Sequence, residues 1–151
     1  MKTALSVLVL SGCVLIWGCE GNDLSAPTDG LEPVSVAVQE RTVTTSESVP
    51  AVRIFGGVHS VNFQVTTQAA CATVVLASYR AQARHVDIVA HVGGNPGALC
   101  SAISTSTVAD YHAEIRGLEP GAYSVSIFEA RGGGEPRFIG SGKGTSFATG
   151  I

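Results

Sequence analysis

Apolar and polar side chains alternate with a period of two along most of the chain after residue 33. The alternating runs lie at residues 34–38, 61–65, 86–92, 111–115 and 123–127. Because successive side chains of a β-strand point to opposite faces, each run predicts a strand with one buried face. Glycine-rich segments between the runs predict turns. No helical period is sustained over this range, so the sequence predicts an all-β domain at 33–151.

One segment, residues 72–79, is apolar on both faces and predicts a central strand. Its continuation also tolerates a helix, so a helix within 72–92, mainly at 77–84, stays open as an alternative. Turn signals recur along the domain at a spacing of about 8 to 14 residues. This spacing favours a single antiparallel β-sandwich of about seven to nine strands.

Residues 1–18 are interpreted as an export signal. Met1-Lys2 gives a short positive start, and residues 3–15 are uncharged and mostly apolar. An apolar run of about 15 residues is shorter than the roughly 20 residues that a permanent membrane-spanning helix needs. The pattern is therefore typical of a secretory signal peptide, with an uncleaved apolar anchor as the alternative.

The apolar run ends at Ile16-Trp17-Gly18-Cys19. This segment resembles the bacterial lipobox, in which a small residue precedes a cysteine that is lipidated and becomes the new N-terminus. Leu10-Ser11-Gly12-Cys13 also fits by its letters, but it would leave too short an apolar segment. The resemblance implies that the protein is a bacterial lipoprotein, lipidated at Cys19 and attached through that lipid to a membrane of the cell envelope.

Residues 19–32 predict a flexible tether between the lipid and the domain. The segment contains four acidic residues, two glycines and Pro27, and it holds too few large apolar side chains to order itself. Over the whole chain, charged residues make up only 14% and the net charge is −3. This composition excludes a disordered polar chain and a generally basic nucleic-acid binder.

A turn motif joins the last two predicted strand runs. Its sequence is Gly117-Leu118-Glu119-Pro120-Gly121-Ala122-Tyr123. Leu118 is expected to close the end of the core, Pro120 to preset a turn dihedral and Gly121 to take a positive φ. Tyr123 is expected to face inward with its hydroxyl on a turn carbonyl. The motif resembles the late strand pair of bacterial immunoglobulin-like and prealbumin-like modules, which implies a sandwich but no activity.

Cys71 and Cys100 are the two cysteines of the predicted domain at 33–151. An exported chain meets an oxidising compartment, where such a pair predicts a structural disulfide. A redox-active pair is the alternative, although the chain lacks the C-x-x-C spacing that such pairs usually have.

Four side chains suggest a metal-site hypothesis. His85 and Asp87 share the outward face of one predicted strand, and His112 and Glu114 share that of another. If those strands were neighbours, the four groups would approach within reach of a zinc or copper ion. The simpler interpretation is that all four are ordinary solvated strand residues.

The motifs that suggest catalysis are incomplete. Residues 144–149 resemble the segment around the nucleophilic serine of subtilisin-like proteases, but the chain shows no matching aspartate and histidine motifs. Residues 140–145 resemble part of a phosphate-binding loop without its full pattern. The sequence therefore predicts no catalytic residue and no cofactor. It favours a non-catalytic binding or scaffolding protein of the envelope, with recognition of an envelope protein or surface ligand by loops near 93–99 and 131–137.

Overall fold

The computed structural model of the chain describes residues 24–43, 48–95, 97–98 and 107–149. These residues form nine β-strands and, within the described ranges, no helix. The strands are β1 (Glu32–Val34), β2 (Ala37–Thr42), β3 (Ala51–Val58), β4 (Ser60–Gln68), β5 (Thr73–Gln82), β6 (His85–Gly94), β7 (Thr107–Arg116), β8 (Gly121–Arg131) and β9 (Arg137–Phe147). The predicted all-β class is confirmed.

The nine strands belong to one mixed sheet with the order β1-β5-β6-β8-β9-β3-β4-β7-β2. Two neighbouring pairs, β6 with β8 and β3 with β9, run parallel, and the other pairs are antiparallel. The prediction of a purely antiparallel arrangement is therefore wrong. An alternating side-chain pattern reports which face of a strand is buried, and it carries no information on the direction of the neighbouring strand.

The sheet curls into a half-barrel, and its two ends approach each other. β1 and β2 follow each other in the chain, yet β1 pairs with β5 and β2 pairs with β7 at the opposite end of the strand order. The Glu40 carboxylate in β2 accepts hydrogen bonds from the backbone N–H and the hydroxyl of Thr73 in β5, at 2.7 and 2.5 Å. These hydrogen bonds lower the pKa of Glu40 and link the two ends of the sheet.

The concave face of the sheet holds the hydrophobic core. The predicted inward positions are buried: Val61, Phe63, Val65, Val86, Ile88, Ala90, Val92, Tyr111, Ala113, Ile115, Tyr123, Val125 and Ile127. Val34, Val36 and Val38 are half-buried and pack against this cluster from the β1–β2 segment. Phe63 and Tyr111 meet edge to face with ring centroids 6.4 Å apart. The period of two therefore identified the core-facing side of these strands correctly.

β5 is not the central strand that its apolar sequence predicts. It lies second from one end of the strand order. Val75 and Ala77 on one face are buried, while Val74 and Leu76 on the other are 43% and 70% exposed. The helix alternative also fails, because β5 continues to Gln82 and is followed by a turn. Apolar residues on both faces of a strand do not by themselves require burial of both.

Three glycines at alternate positions of β9 allow β3 and β4 to pack closely against it. An ideal Cβ atom on Gly140, Gly142 or Gly144 would lie 2.7 to 2.9 Å from a side-chain carbon of Val52, Ile54 or Val61 respectively. A side chain at any of these positions would overlap its neighbour unless the backbone moved. The glycine alternation in residues 140–145, which resembles part of a phosphate loop, thus has a packing role between strands.

The turn between β7 and β8 has the geometry expected from its residues. Leu118 is buried in the core cluster, and Gly121 has a φ of +142°. The Tyr123 hydroxyl donates a hydrogen bond to the carbonyl oxygen of Glu119 at 3.1 Å. Arg84, which the sequence did not single out, donates from Nη1 to the carbonyl oxygens of Glu119 and Pro120 and covers the Tyr123 ring. The guanidinium thus fixes the turn from outside.

Replacing Gly121 with valine should lower the free energy of unfolding by about 2 to 3 kcal/mol. A β-branched residue is strained at a φ of +142°, and its Cβ would lie 2.7 Å from Arg84 Nη1. Chemical denaturation of the purified protein measures the loss. Ala122→Val, at the exposed neighbouring position, is the control and should stay within about 0.5 kcal/mol of the wild type. Equal stability of the two variants would contradict this account of the turn.

Candidate functional site

The four residues of the metal-site hypothesis lie on two distant strands. β6 carries His85 and Asp87, and β7 carries His112 and Glu114. The strands β8, β9, β3 and β4 separate β6 from β7 in the sheet, so the two pairs do not share a surface. The described residues also contain no group of three or more His, Cys, Asp or Glu that could hold a metal ion. The predicted metal site is thereby corrected, because its premise of neighbouring strands does not hold.

Each of the two pairs has local partners of its own. His85 Nε2 lies 2.9 Å from Asp87 Oδ1, and its Nδ1 lies 2.8 Å from Ser124 Oγ. Asp87 also accepts a hydrogen bond from Arg80 at 3.0 Å. On β7, His112 is exposed beside a shallow pocket of about 370 Å³.

Glu114 is bound to Ser60 and Arg116. It accepts hydrogen bonds from the Ser60 hydroxyl and the Arg116 guanidinium at 2.7 and 2.6 Å. These bonds lower the pKa of Glu114. The two carboxylates of the metal-site hypothesis, Asp87 and Glu114, thus belong to separate hydrogen-bond networks.

The cysteine predictions lie partly outside the described residues. Cys19 and Cys100 both fall in ranges that the structure does not describe. Cys71 lies in the turn before β5, and its Sγ is 3.8 Å from the carbonyl oxygen of Ala98. Lipidation at Cys19 and a bridge between Cys71 and Cys100 therefore stay predictions.

The predicted recognition loop at 131–137 borders a cavity that is lined by both charged and apolar side chains. The cavity has a volume of about 510 Å³. It lies near the starts of β3 and β9, whose parallel pairing is confined to their far ends at Gly57–Val58 and Ser146–Phe147. Its lining residues are Val49, Pro50, Thr67, Gln68, Glu129, Arg131, Gly134, Glu135, Arg137 and Ile139. The other predicted loop, at 93–99, is described only in part.

A buried carboxylate stands at the inner wall of this cavity. Glu129 of β8 is 7% exposed. Its Oε1 accepts hydrogen bonds from the Thr67 hydroxyl at 2.9 Å and from Arg131 Nε at 2.7 Å. Its Oε2 accepts a hydrogen bond from the Tyr111 hydroxyl at 3.1 Å. Both carboxylate oxygens are therefore engaged, as a buried charge requires.

Arg131 compensates this charge and is itself held in place. Its Nη2 donates to the Thr67 hydroxyl and to the Gln68 carbonyl oxygen, the latter at 2.7 Å. The guanidinium is bound along one edge, while 42% of its side chain remains exposed. The arrangement fixes the orientation of a cation at the wall of the cavity.

Tyr111 connects the carboxylate to the hydrophobic core. Burial raises the pKa of the Tyr111 phenol far above its usual value, and the nearby Glu129 charge adds to that effect. The phenol consequently stays protonated and serves as a hydrogen-bond donor. It holds Glu129 from the core side, while Arg131 holds it from the cavity side.

The sequence of β8 contains a pattern that indicates part of this cluster. The alternation Tyr123, Val125, Ile127 continues in phase to Glu129 and Arg131. A carboxylate and a guanidinium at core-facing positions of a strand indicate a buried pair. Thr67 and Tyr111 could not be assigned to it from sequence, because they come from β4 and β7, whose positions depend on the strand order.

The comparisons with known proteins add no family to this description. No protein-family model, no curated protein and no solved structure was found to match the chain. Within the described ranges, the chain has no helix with the length and apolarity needed to cross a bilayer.

Proposed function

We propose that the protein is an exported bacterial lipoprotein with a non-catalytic binding or scaffolding role at the cell envelope. In this proposal, residues 1–18 direct export, Cys19 carries the lipid and residues 19–32 form the tether. Support for the anchor comes from the uncharged apolar segment and the lipobox-like Ile16-Trp17-Gly18-Cys19. The attached β-domain would stay at the membrane on the periplasmic or cell-surface face.

The observation that carries the binding role is the cavity beside the 131–137 loop. Its volume of about 510 Å³ falls within the roughly 300–1,000 Å³ typical of small-molecule sites. Apolar side chains line it together with an oriented guanidinium, and this combination is typical of ligand pockets. Glu129 accepts three hydrogen bonds, one of them from Arg131, and thereby holds the Arg131 guanidinium in place. Such a wall suits recognition of a ligand.

The proposal includes a disulfide between Cys71 and Cys100. One observation supports it: the Sγ atom of Cys71 lies 3.8 Å from the carbonyl oxygen of Ala98, two residues before Cys100 in the chain. A structural disulfide agrees with an oxidising compartment outside the cytosol. The turn at 117–123 likewise supports an immunoglobulin-like or prealbumin-like relationship as the finer description of the fold.

Cys19→Ser should move the protein out of the detergent phase in a detergent-phase partition of cell extracts. At about 0.8 kcal/mol per buried CH₂, loss of the acyl chains removes most of the affinity for a membrane. Cys13→Ser is the matched control and should partition like the wild type. Mass spectrometry of the N-terminal peptide identifies the acylated residue and separates lipidation from an uncleaved apolar segment. Equal partition of both variants, with an unmodified Cys19, would remove the anchor from the proposal.

A further inference from the structure

One guanidinium nitrogen of the cavity lining has no hydrogen-bond partner among the described residues. Arg131 uses Nε for Glu129 and Nη2 for Thr67 and Gln68. Among the described residues, none is hydrogen-bonded to its Nη1. Because the other nitrogens are held, Nη1 keeps its position without a ligand, and binding through it costs little conformational entropy. Arg131 is thus a preorganised donor in the cavity lining.

A second guanidinium belongs to the same face. Arg137 opens β9 and stands directly opposite Glu129 in the β8–β9 register. Directly opposite residues of an antiparallel pair place their side chains on the same face of the sheet. Arg137 lines the cavity, and it forms no ion pair within the described part of the chain. Two arginines from neighbouring strands therefore border one cavity.

The remaining charges leave these arginines available for an anion. The charge of Glu129 is compensated by Arg131 and hydrogen-bonded by Thr67 and Tyr111. Glu135 lines the cavity from the exposed loop and, among the described lining residues, is the one carboxylate besides Glu129. Since Glu135 is exposed, water screens its repulsion. A guanidinium with free N–H groups forms strong charge-assisted hydrogen bonds to carboxylates.

The cavity lining also includes three apolar side chains. Val49 and Pro50 contribute from the segment before β3, and Ile139 contributes from β9. Ile139 stands at the irregularity in the β8–β9 register, where Ile127 pairs with Gly140 and Phe128 with Phe138. These side chains can cover a short hydrocarbon body, which gains free energy by leaving water.

We propose that this cavity binds a small amphipathic monocarboxylate, and this inference rests on the binding role proposed above. The carboxylate lies between Nη1 of Arg131 and the guanidinium of Arg137. The hydrocarbon part packs against Val49, Pro50 and Ile139. The ligand class follows from two available cationic donors at one side of a mainly apolar cavity of about 510 Å³.

Calorimetric titration of the protein from the full chain tests this assignment. The protein is placed in lipid nanodiscs if it partitions with detergent, and empty nanodiscs supply the blank. Hexanoate is the probe, with hexanol and hexylamine as neutral and cationic ligands of matched length. We expect hexanoate to bind at least about tenfold more tightly than either one, because a charge-assisted hydrogen bond contributes about 1.5 to 3 kcal/mol.

Variants of the protein distinguish binding at the cavity arginines from an effect of positive charge elsewhere in the protein. Arg137→Gln should weaken hexanoate binding about tenfold and leave hexanol binding unchanged. Lys143→Gln, also on β9 but outside the cavity lining, should bind hexanoate like the wild type. Glu135→Gln should tighten hexanoate binding, because it removes the opposing charge. Arg137 forms no ion pair within the described residues, so its replacement should not affect folding.

The outcomes also separate this inference from the proposed function. Equal affinity for hexanoate and hexanol, or equal effects of Arg137→Gln and Lys143→Gln, would overturn the anion assignment. Absence of binding by all three probes would overturn the cavity as the ligand site. The detergent-phase partition of Cys19→Ser is independent of these titrations, so it tests the proposed lipid anchor separately.

Discussion

Arg131→Met should lower the free energy of unfolding by about 3 to 5 kcal/mol, with a fall in Tm of about 10 °C or more. The substitution leaves the Glu129 carboxylate, 7% exposed, without its counter-charge. It also removes the donor to the Gln68 carbonyl oxygen. Methionine keeps much of the length and apolar stem of arginine, so the loss reports the charge more than the packing. Thermal and denaturant unfolding at neutral pH measure the effect.

The chain supplies a matched control for this substitution. Glu114 and Arg116 have the same spacing as Glu129 and Arg131, and their ion pair is also short, at 2.6 Å. The side chains of Glu114 and Arg116 are 33% and 83% exposed, compared with 5% for Glu129 and 42% for Arg131. Arg116→Met should therefore change the stability by at most about 1 kcal/mol. Equal losses of unfolding free energy for Arg116→Met and Arg131→Met would contradict the claim that burial of Glu129 causes the larger effect.

A second substitution should restore most of the stability lost in Arg131→Met. Glu129→Gln removes the uncompensated charge and keeps acceptor and donor groups for Tyr111 and Thr67. Replacing both members of a buried pair by neutral groups is often close to neutral in stability. A double variant as unstable as the single one would refute this explanation.

Gly144→Ala should lower the free energy of unfolding by about 1 to 3 kcal/mol, although alanine is usually better tolerated than glycine in a strand. A Cβ on Gly144 would lie 2.8 Å from Val61 Cγ1, 3.1 Å from the Phe55 carbonyl oxygen and 3.2 Å from Ile54 Cγ2. Val61 is 1% exposed and belongs to the core cluster, where close packing resists its displacement. The added methyl group must therefore separate β9 from β3 and β4. Denaturant unfolding gives the magnitude.

Gly93→Ala is the control for this prediction. Gly93 also lies within a strand, β6, but a Cβ there would meet no atom within 4 Å. Alanine should be neutral at this position or stabilise the protein by up to about 1 kcal/mol, because it reduces the entropy of the unfolded chain. A Gly144→Ala variant as stable as Gly93→Ala would mean that β9 does not pack as closely as described.

Structural features that depend on residues close together in the chain could be predicted best from the sequence. The turn at Leu118, Pro120, Gly121 and Tyr123 depends on dihedral preferences and contacts within a few residues, and the structure has the geometry expected from them. The inward side of β4, β6, β7 and β8 also followed from alternation. The metal-site hypothesis needed β6 and β7 to be neighbours, and it was wrong because strand adjacency depends on long-range pairing. The cavity was missed for the same reason, since β4, β8 and β9 form its wall together.

The sequence by itself determined the all-β class, the core-facing side of most strands and the turn before β8, because each depends on local preference or on a period of two. Only the tertiary structure decided the mixed sheet and its curl. The pattern Glu-x-Arg occurs at both Glu114 and Glu129, and nothing local distinguishes the two. One pair lies on the convex face in water, and the other lies inside the curl against Tyr111 and Thr67. Burial is set by what the other strands cover, and that depends on residues distant in the chain.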